Sequence, residues 1–353
     1  MVEYKELNER LEKYCKENEK TFYIMNLQSI LLILFEAKNI LINPCERLET
    51  NIIRLAYDEK VDGLTSISLV REFLSTLGSN YTDLFDESFR NGSFGYEDVI
   101  NDKSDMPLYK AVLLKNNKYY NVGFKGNILD GYSLVHEFFH YLNISKSNLD
   151  DLFSELISIY MENKYLDFLE TKGHSKTDIL KTRLQRYISF FYGQQDLLHE
   201  TLILNIKEKL GAIKEQDYDF LISYKDVFSK DIKVDVYYKN LNVALNRLRN
   251  IDNENVNRKN KFSPSFTFTY FFGVLLSSFL LQKNDVIITS CILDLNNKLA
   301  LACDDDVSFN EGFNVLGINI EDNTTIKKSI ESVNIYYDEA LDKTLILKAK
   351  QKR

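Results

Sequence analysis

Apolar residues recur at helical spacing over most of this chain. Residues 1–20 read as an amphipathic helix, and residues 26–42 (NLQSILLILFEAKNILI) as a more buried one. The pattern continues through IIRLAY and SLVREFLSTLG to about residue 80, where Gly78 suits a helix stop. Residues 86–107 are polar and hold Gly92, Gly95 and Pro107, which predicts a loop. That loop is the best boundary between an N-terminal helical region, 1–105, and a second domain, 106–353. The period then changes. Leu108–Leu114 and Lys118–Phe124 are strand-like, and Asn116-Asn117 between them suits a tight hairpin turn. Gly126 and Gly131 bracket a connection into LVHEFFHYLN, residues 134–143. Helical spacing then runs to a polar loop near 302–312, and residues 331–350 predict one more helix. The expected fold is mainly α, built of long helices with a small β-sheet or hairpin beside the helix that carries HEFFH.

Composition narrows this further. The chain has 353 residues, 44% hydrophobic and 27% charged, which supports a sizeable core; 13 Gly and 3 Pro favour long helices over a many-turned β fold. The formal net charge is −8, with Lys and Arg scattered. That argues against nucleic acid or an anionic membrane as the main partner. Cys15, Cys45, Cys291 and Cys303 form no C-x-x-C and no disulfide framework, as expected of reduced thiols in the cytoplasm. The N-terminus lacks the apolar core of a signal peptide. Phe266–Leu281 is the most apolar run, but its 16 residues fall short of the roughly 20 that span a bilayer. A buried core helix and a chain with no membrane partner are expected.

The chemistry concentrates in His136-Glu137-Phe138-Phe139-His140, which uses two of the four histidines. On a helix, His136 and His140 lie on one face and can share one metal ion. Glu137 projects beside them, where it can act as general base towards a water activated by that ion. The plainer alternative is two histidines of core or surface. A third ligand is needed. Glu155 lies beside the apolar stripe of the next helix, where an unpaired carboxylate is costly. Asp150 and Asp151 compete, but they sit in a first turn, where the helix dipole already favours acids. Ser147 and Asp150 resemble a capping box for this helix, and Gly173 its stop. Glu162 shares a face with Glu155 and can orient a ligand histidine from behind.

At these residues the chain resembles the oligoendopeptidase F and thimet oligopeptidase family of zinc metallopeptidases. FKGNILDGYSLVHEFFH, Phe124–His140, is similar to that family's strand, Gly-containing turn and catalytic helix. ELISIYME, Glu155–Glu162, resembles its E-x-x-S-x-x-x-E, whose first Glu is the third zinc ligand. More loosely, residues 183–202 resemble the helix after the metal site, and residues 265–281 the Tyr-rich helix facing the zinc; FNVLG, residues 313–317, looks like a turn near the family's C-terminus. The resemblance implies one zinc ion on His136, His140 and Glu155, with Glu137 as base and Tyr270 as hydrogen-bond donor to the developing oxyanion. The alternative for Tyr270 is a core aromatic among many.

Three departures stand out. Phe139 replaces the usual Gly before the second histidine, so the helix must pack differently there. NRKNKFSPS holds no counterpart of the family's histidine before the tyrosine helix, although Asn260 or Lys261 could substitute. Much of the N-terminal helical half is missing, which implies a more open cleft. An extended peptide could then pair with the strand at 118–124 as a sheet edge, making Val122, Gly123 and Phe124 substrate-binding. The expected function is a zinc-dependent endopeptidase acting on peptides. The alternatives are a catalytically inactive peptide-binding relative and an aminopeptidase. A membrane-embedded H-E-x-x-H protease would need several apolar spans.

Overall fold

A computed structural model of the protein describes residues 33–34, 36–37, 39–44, 57–98, 109–114, 117–142, 148–210, 264–283, 286–301, 313, 316–319 and 322–341. The expectations for residues 1–20, the turn residue Asn116, Ser147, Asn260 and Lys261 lie outside them. The helices are α1 (Gly63–Leu77), α2 (Ser79–Arg90), α3 (Leu129–Leu142), α4 (Asn148–Thr171), α5 (Lys176–Leu210), α6 (Pro264–Lys283), α7 (Val286–Leu301) and α8 (Asn323–Tyr337). The strands are β1 (Phe94–Asp98), β2 (Tyr109–Leu114) and β3 (Asn117–Phe124). The chain is thus mainly α, with a small sheet directly before α3.

The hairpin forms where the sequence places it. Leu114 lies opposite Asn117, so Asn117 opens β3 rather than turning. The stretch expected as a loop from 86 contains the end of α2 and then β1. β1 pairs in parallel with β3, from Phe94 opposite Tyr120 to Asp98 opposite Phe124. This pairing crosses the boundary expected near 105, and one hydrophobic core runs on from Ile33 to Leu341.

The strand order β1-β3-β2 corrects a second expectation. β3 is central, not an edge. Val122 already lies opposite Tyr96 on one side and Tyr109 on the other, and Gly123 and Phe124 pair with Glu97 and Asp98. A peptide therefore cannot add to Val122, Gly123 and Phe124 by main-chain pairing. Among the described strands, the edges are β1 and β2.

α3 leaves the sheet through a tight turn. Gly126 takes φ +77, which favours glycine. The buried Asp130 carboxylate accepts the N–H groups of Lys125 (2.9 Å), Gly126 (2.7 Å) and Asn127 (3.1 Å). Those donors would otherwise be orphans at a helix start. Leu134, Val135, Phe138 and Phe139 bury one face of α3, and His136, Glu137 and His140 are left half-buried. Phe139 finds its room against Tyr81 of α2 (6.1 Å between ring centroids), while Phe138 meets Phe85 edge-on at 5.1 Å. The bulky residue before His140 is accommodated by α2.

Gly131 holds α3 against α4. A Cβ there would lie 2.9 Å from Cζ of the buried Tyr165 and closer still to its hydroxyl. Gly131→Ala is expected to destabilise the fold by about 1–3 kcal/mol. Tyr165→Phe in the same chain should recover part of that loss, both read as shifts in thermal melting.

α4 ends at Gly173, which takes φ +83, and His174 N–H donates to Leu169 O at 3.1 Å, a Schellman-type stop. α6 is apolar all round, and from Thr269 to Leu281 it is buried except for the half-buried Tyr270 and Phe279, as expected of a core helix. It packs against α4, α5 and α8. No helix among the described residues is long and apolar enough to cross a membrane. The last α-helix among the described residues starts at Asn323, not near 331, because Asp322 caps it by accepting Thr324 N–H at 2.9 Å; residues 342–350 of the expected helix lie outside the described residues.

Candidate metal centre

α3 and α4 pack side by side, and α6 closes over α4. Gly273 makes the closure possible. A Cβ on it would stand 3.3 Å from Glu155 Cβ, so the two helices approach at the third expected ligand.

The three expected ligands converge. His136 Nε2 and His140 Nε2 are 2.9 Å apart. Glu155 Oε1 lies 3.4 Å from His140 Nε2, and Oε2 lies 3.8 Å from His136 Nε2. One ligand atom from each residue falls within 4.8 Å of the others. Tetrahedral zinc with bonds of about 2.0–2.1 Å separates its ligand atoms by about 3.3 Å. The spacing fits one small divalent ion. The side chains of Asp150 and Asp151, the competing acids, lie outside the described residues.

Glu155 is buried, and its Oε2 has no hydrogen-bond partner. Burial pushes its carboxyl up, but His140 and then His136 outweigh that and hold it down at about 2. An ionised carboxylate facing two imidazole nitrogens, with one oxygen unsatisfied, is a donor set for a cation. Glu137, Glu155 and Glu162 bring three formal negative charges and Arg186 one positive, leaving two that one divalent ion balances.

The outer partners are set as well. His140 Nδ1 lies 2.9 Å from Ser154 Oγ, which fixes the ring so that Nε2 faces inward. Glu162, fully buried, places Oε2 2.8 Å from His136 Nδ1. That approach is off the hydrogen-bond axis, so it is a close contact rather than an aligned bond. Tyr132 O–H donates to Glu162 Oε1 at 2.5 Å, and Arg186 Nη2 to Oε2 at 2.5 Å. Ser154→Ala is expected to weaken metal binding about 10-fold, measured by competition with a chelator; equal affinity would show that the hydroxyl does not orient His140.

Tyr270 lies on α6 one turn before Gly273. Its oxygen accepts from Arg186 Nη1. Burial raises the phenol above its ordinary value, against the opposing pull of Arg186, so it keeps its proton. The structure thus brings Tyr270 to the rear network around Glu162.

His174 stands apart. Its Nδ1 lies 2.6 Å from Glu59, whose other oxygen accepts Ser175 N–H, so it ties the α4–α5 corner to the segment before α1. The side chain of His199 lies outside the described residues. Ser154, Tyr132 and Arg186 were not anticipated from sequence. The only local signals were a serine next to a predicted ligand, and arginines at 183 and 186 on a helix otherwise rich in apolar residues.

Comparison with family models, with curated proteins and with solved structures finds no match for this chain.

Proposed function

We propose that the protein is a zinc-dependent endopeptidase of the long-helix metallopeptidase type, related to the oligoendopeptidase F and thimet oligopeptidase family and acting on peptides in the cytoplasm. The observation that carries the reading is the convergence of His136, His140 and Glu155 on one point, with Glu137 next to His136 on the same helix. Two imidazoles and a carboxylate also suit iron(II). A carboxylate adjoining the ligands but outside the cluster favours hydrolysis, because it supplies the base that a hydrolytic site requires.

Zinc, when bound, lowers the pKa of a water and polarises a carbonyl. Glu137 takes the proton from the attacking water and returns it to the leaving amine nitrogen. Tyr270 keeps its proton and donates a hydrogen bond towards the oxygen that gains charge. Glu162 and Ser154 hold the two imidazoles in the orientation that presents both Nε2 atoms.

The deciding experiment is metal analysis of the purified full chain together with cleavage of internally quenched peptides, with and without chelator. One zinc per chain and chelator-sensitive cleavage at internal bonds are expected. Absence of zinc, or cleavage indifferent to chelator, would overturn the reading. Bound zinc without cleavage of any peptide would mark an inactive peptide-binding protein.

A further inference from the structure

We infer that Arg186 is a positioning residue that joins the metal-ligand shell and the Tyr270 hydroxyl into one rigid unit. The inference rests on the metal site proposed above, and its kinetic part also rests on the peptidase reading.

Arg186 projects from α5, a helix that contributes none of the three ligands. Its guanidinium serves three other helices at once. Nε donates to the Tyr132 oxygen of α3 at 2.8 Å. Nη2 donates to Glu162 Oε2 of α4 at 2.5 Å. Nη1 donates to the Tyr270 oxygen of α6. The rings of Tyr132 and Tyr270 also flank the cation, with centroids 5.4 and 5.1 Å away. The Glu162 oxygen that Arg186 holds is the one 2.8 Å from His136 Nδ1. A continuous line of contacts therefore runs from Tyr270 through Arg186 and Glu162 to a metal ligand.

Geometry makes arginine the required residue. A planar fork with fixed donor directions can satisfy a carboxylate and two phenol oxygens together, whereas an ammonium is a point charge on a flexible stem. The network also has functional direction. Glu162 is fully buried, and Arg186 supplies its counter-charge, so Glu162 stays placed behind His136. Because Arg186 donates to the Tyr270 oxygen, the phenolic proton points away from the guanidinium.

The test uses the full chain carrying Arg186→Met, Arg186→Lys, Glu162→Gln or Tyr270→Phe, and the double variant Arg186→Met/Tyr270→Phe. Zinc affinity is read by chelator competition, kcat and KM on a quenched peptide, and folding by thermal melting. Arg186→Met should weaken zinc binding about 10–100-fold, as loss of an outer-shell partner does. It should also lower kcat with KM nearly unchanged. Glu162→Gln should lower zinc affinity, and Tyr270→Phe should lower kcat while leaving zinc affinity at the wild-type value. The double variant should lose no more kcat than the worse single one, because both remove the same unit. Arg186→Lys should fall between wild type and Arg186→Met in zinc affinity. A folded Arg186→Met with wild-type zinc affinity, or kcat losses that multiply in the double variant, would overturn the inference. If Arg186→Met does not melt cooperatively, Arg186→Lys decides: wild-type zinc affinity and kcat in that variant would overturn it. If the wild-type chain cleaves no peptide, the peptidase reading falls, and zinc affinity alone decides the role of Arg186.

Discussion

Glu137→Gln is expected to lower kcat for peptide cleavage by about 10²–10⁴-fold, the range a positioned general base contributes, while the chain still binds one zinc. The expectation follows from where Glu137 sits. It adjoins His136 on α3, half-buried beside the buried face of that helix, and it is not one of the three converging ligands. The polar contacts that tie α3 to α4 run through Tyr132, His136 and His140 instead. Glutamine keeps the length and shape of the side chain but cannot accept a proton from water at neutral pH. The fold and the ligand set should therefore survive, and only proton transfer should fail. Zinc content, melting temperature and turnover measured on the same preparation separate these effects. Loss of zinc in Glu137→Gln would mean that Glu137 is a ligand or a structural residue; unchanged kcat would mean that another group is the base.

How much of this was legible in the sequence depends on the range of the contacts involved. HEFFH was readable because spacing along one helix fixes which side chains share a face. Glu155 was readable because an acid beside the stripe of Leu152, Phe153 and Leu156 is out of place unless something pairs with it. The hairpin of β2 and β3 was readable because its partners are consecutive. β1 was not. FGYED is short, holds a glycine and two acids, and finds its partner more than twenty residues on. Missing that parallel pairing is what made β3 look like an edge. Arg186 escaped for a related reason, since an arginine on a long mixed helix ordinarily reads as solvated. Its three partners come from α3, α4 and α6, and no local pattern brings them together. The departure at Phe139 was visible, but its resolution was not, because Tyr81 lies on a helix that precedes the sheet.

Glu155→Ala is expected to remove the metal altogether, with an affinity loss beyond the about 100-fold that follows removal of an outer partner. The two imidazoles on α3 are held by one helix and would remain near each other, but they fill only two of the positions a closed site needs. Alanine also takes away the ionised carboxylate that helps balance the ion in this half-buried site. Stability gives an independent readout. A ligand that binds only the folded state stabilises it by RT ln(1 + [L]/Kd), about 4 kcal/mol at a thousandfold excess over Kd. In the wild-type chain, chelator should therefore lower the melting temperature by several degrees, at roughly 2–4 °C for each kcal/mol in larger domains. In Glu155→Ala that sensitivity should vanish, and the variant should melt at one temperature with or without chelator. Alanine at 155 keeps the Cβ against which Gly273 packs and adds no atom to the α4–α6 contact. A fold failure would therefore not be confused with loss of the ligand. If Glu155→Ala still binds one zinc and keeps its chelator-dependent melting, the third donor lies elsewhere, and the pairing of α4 with α3 around a metal is not what this structure is built to do.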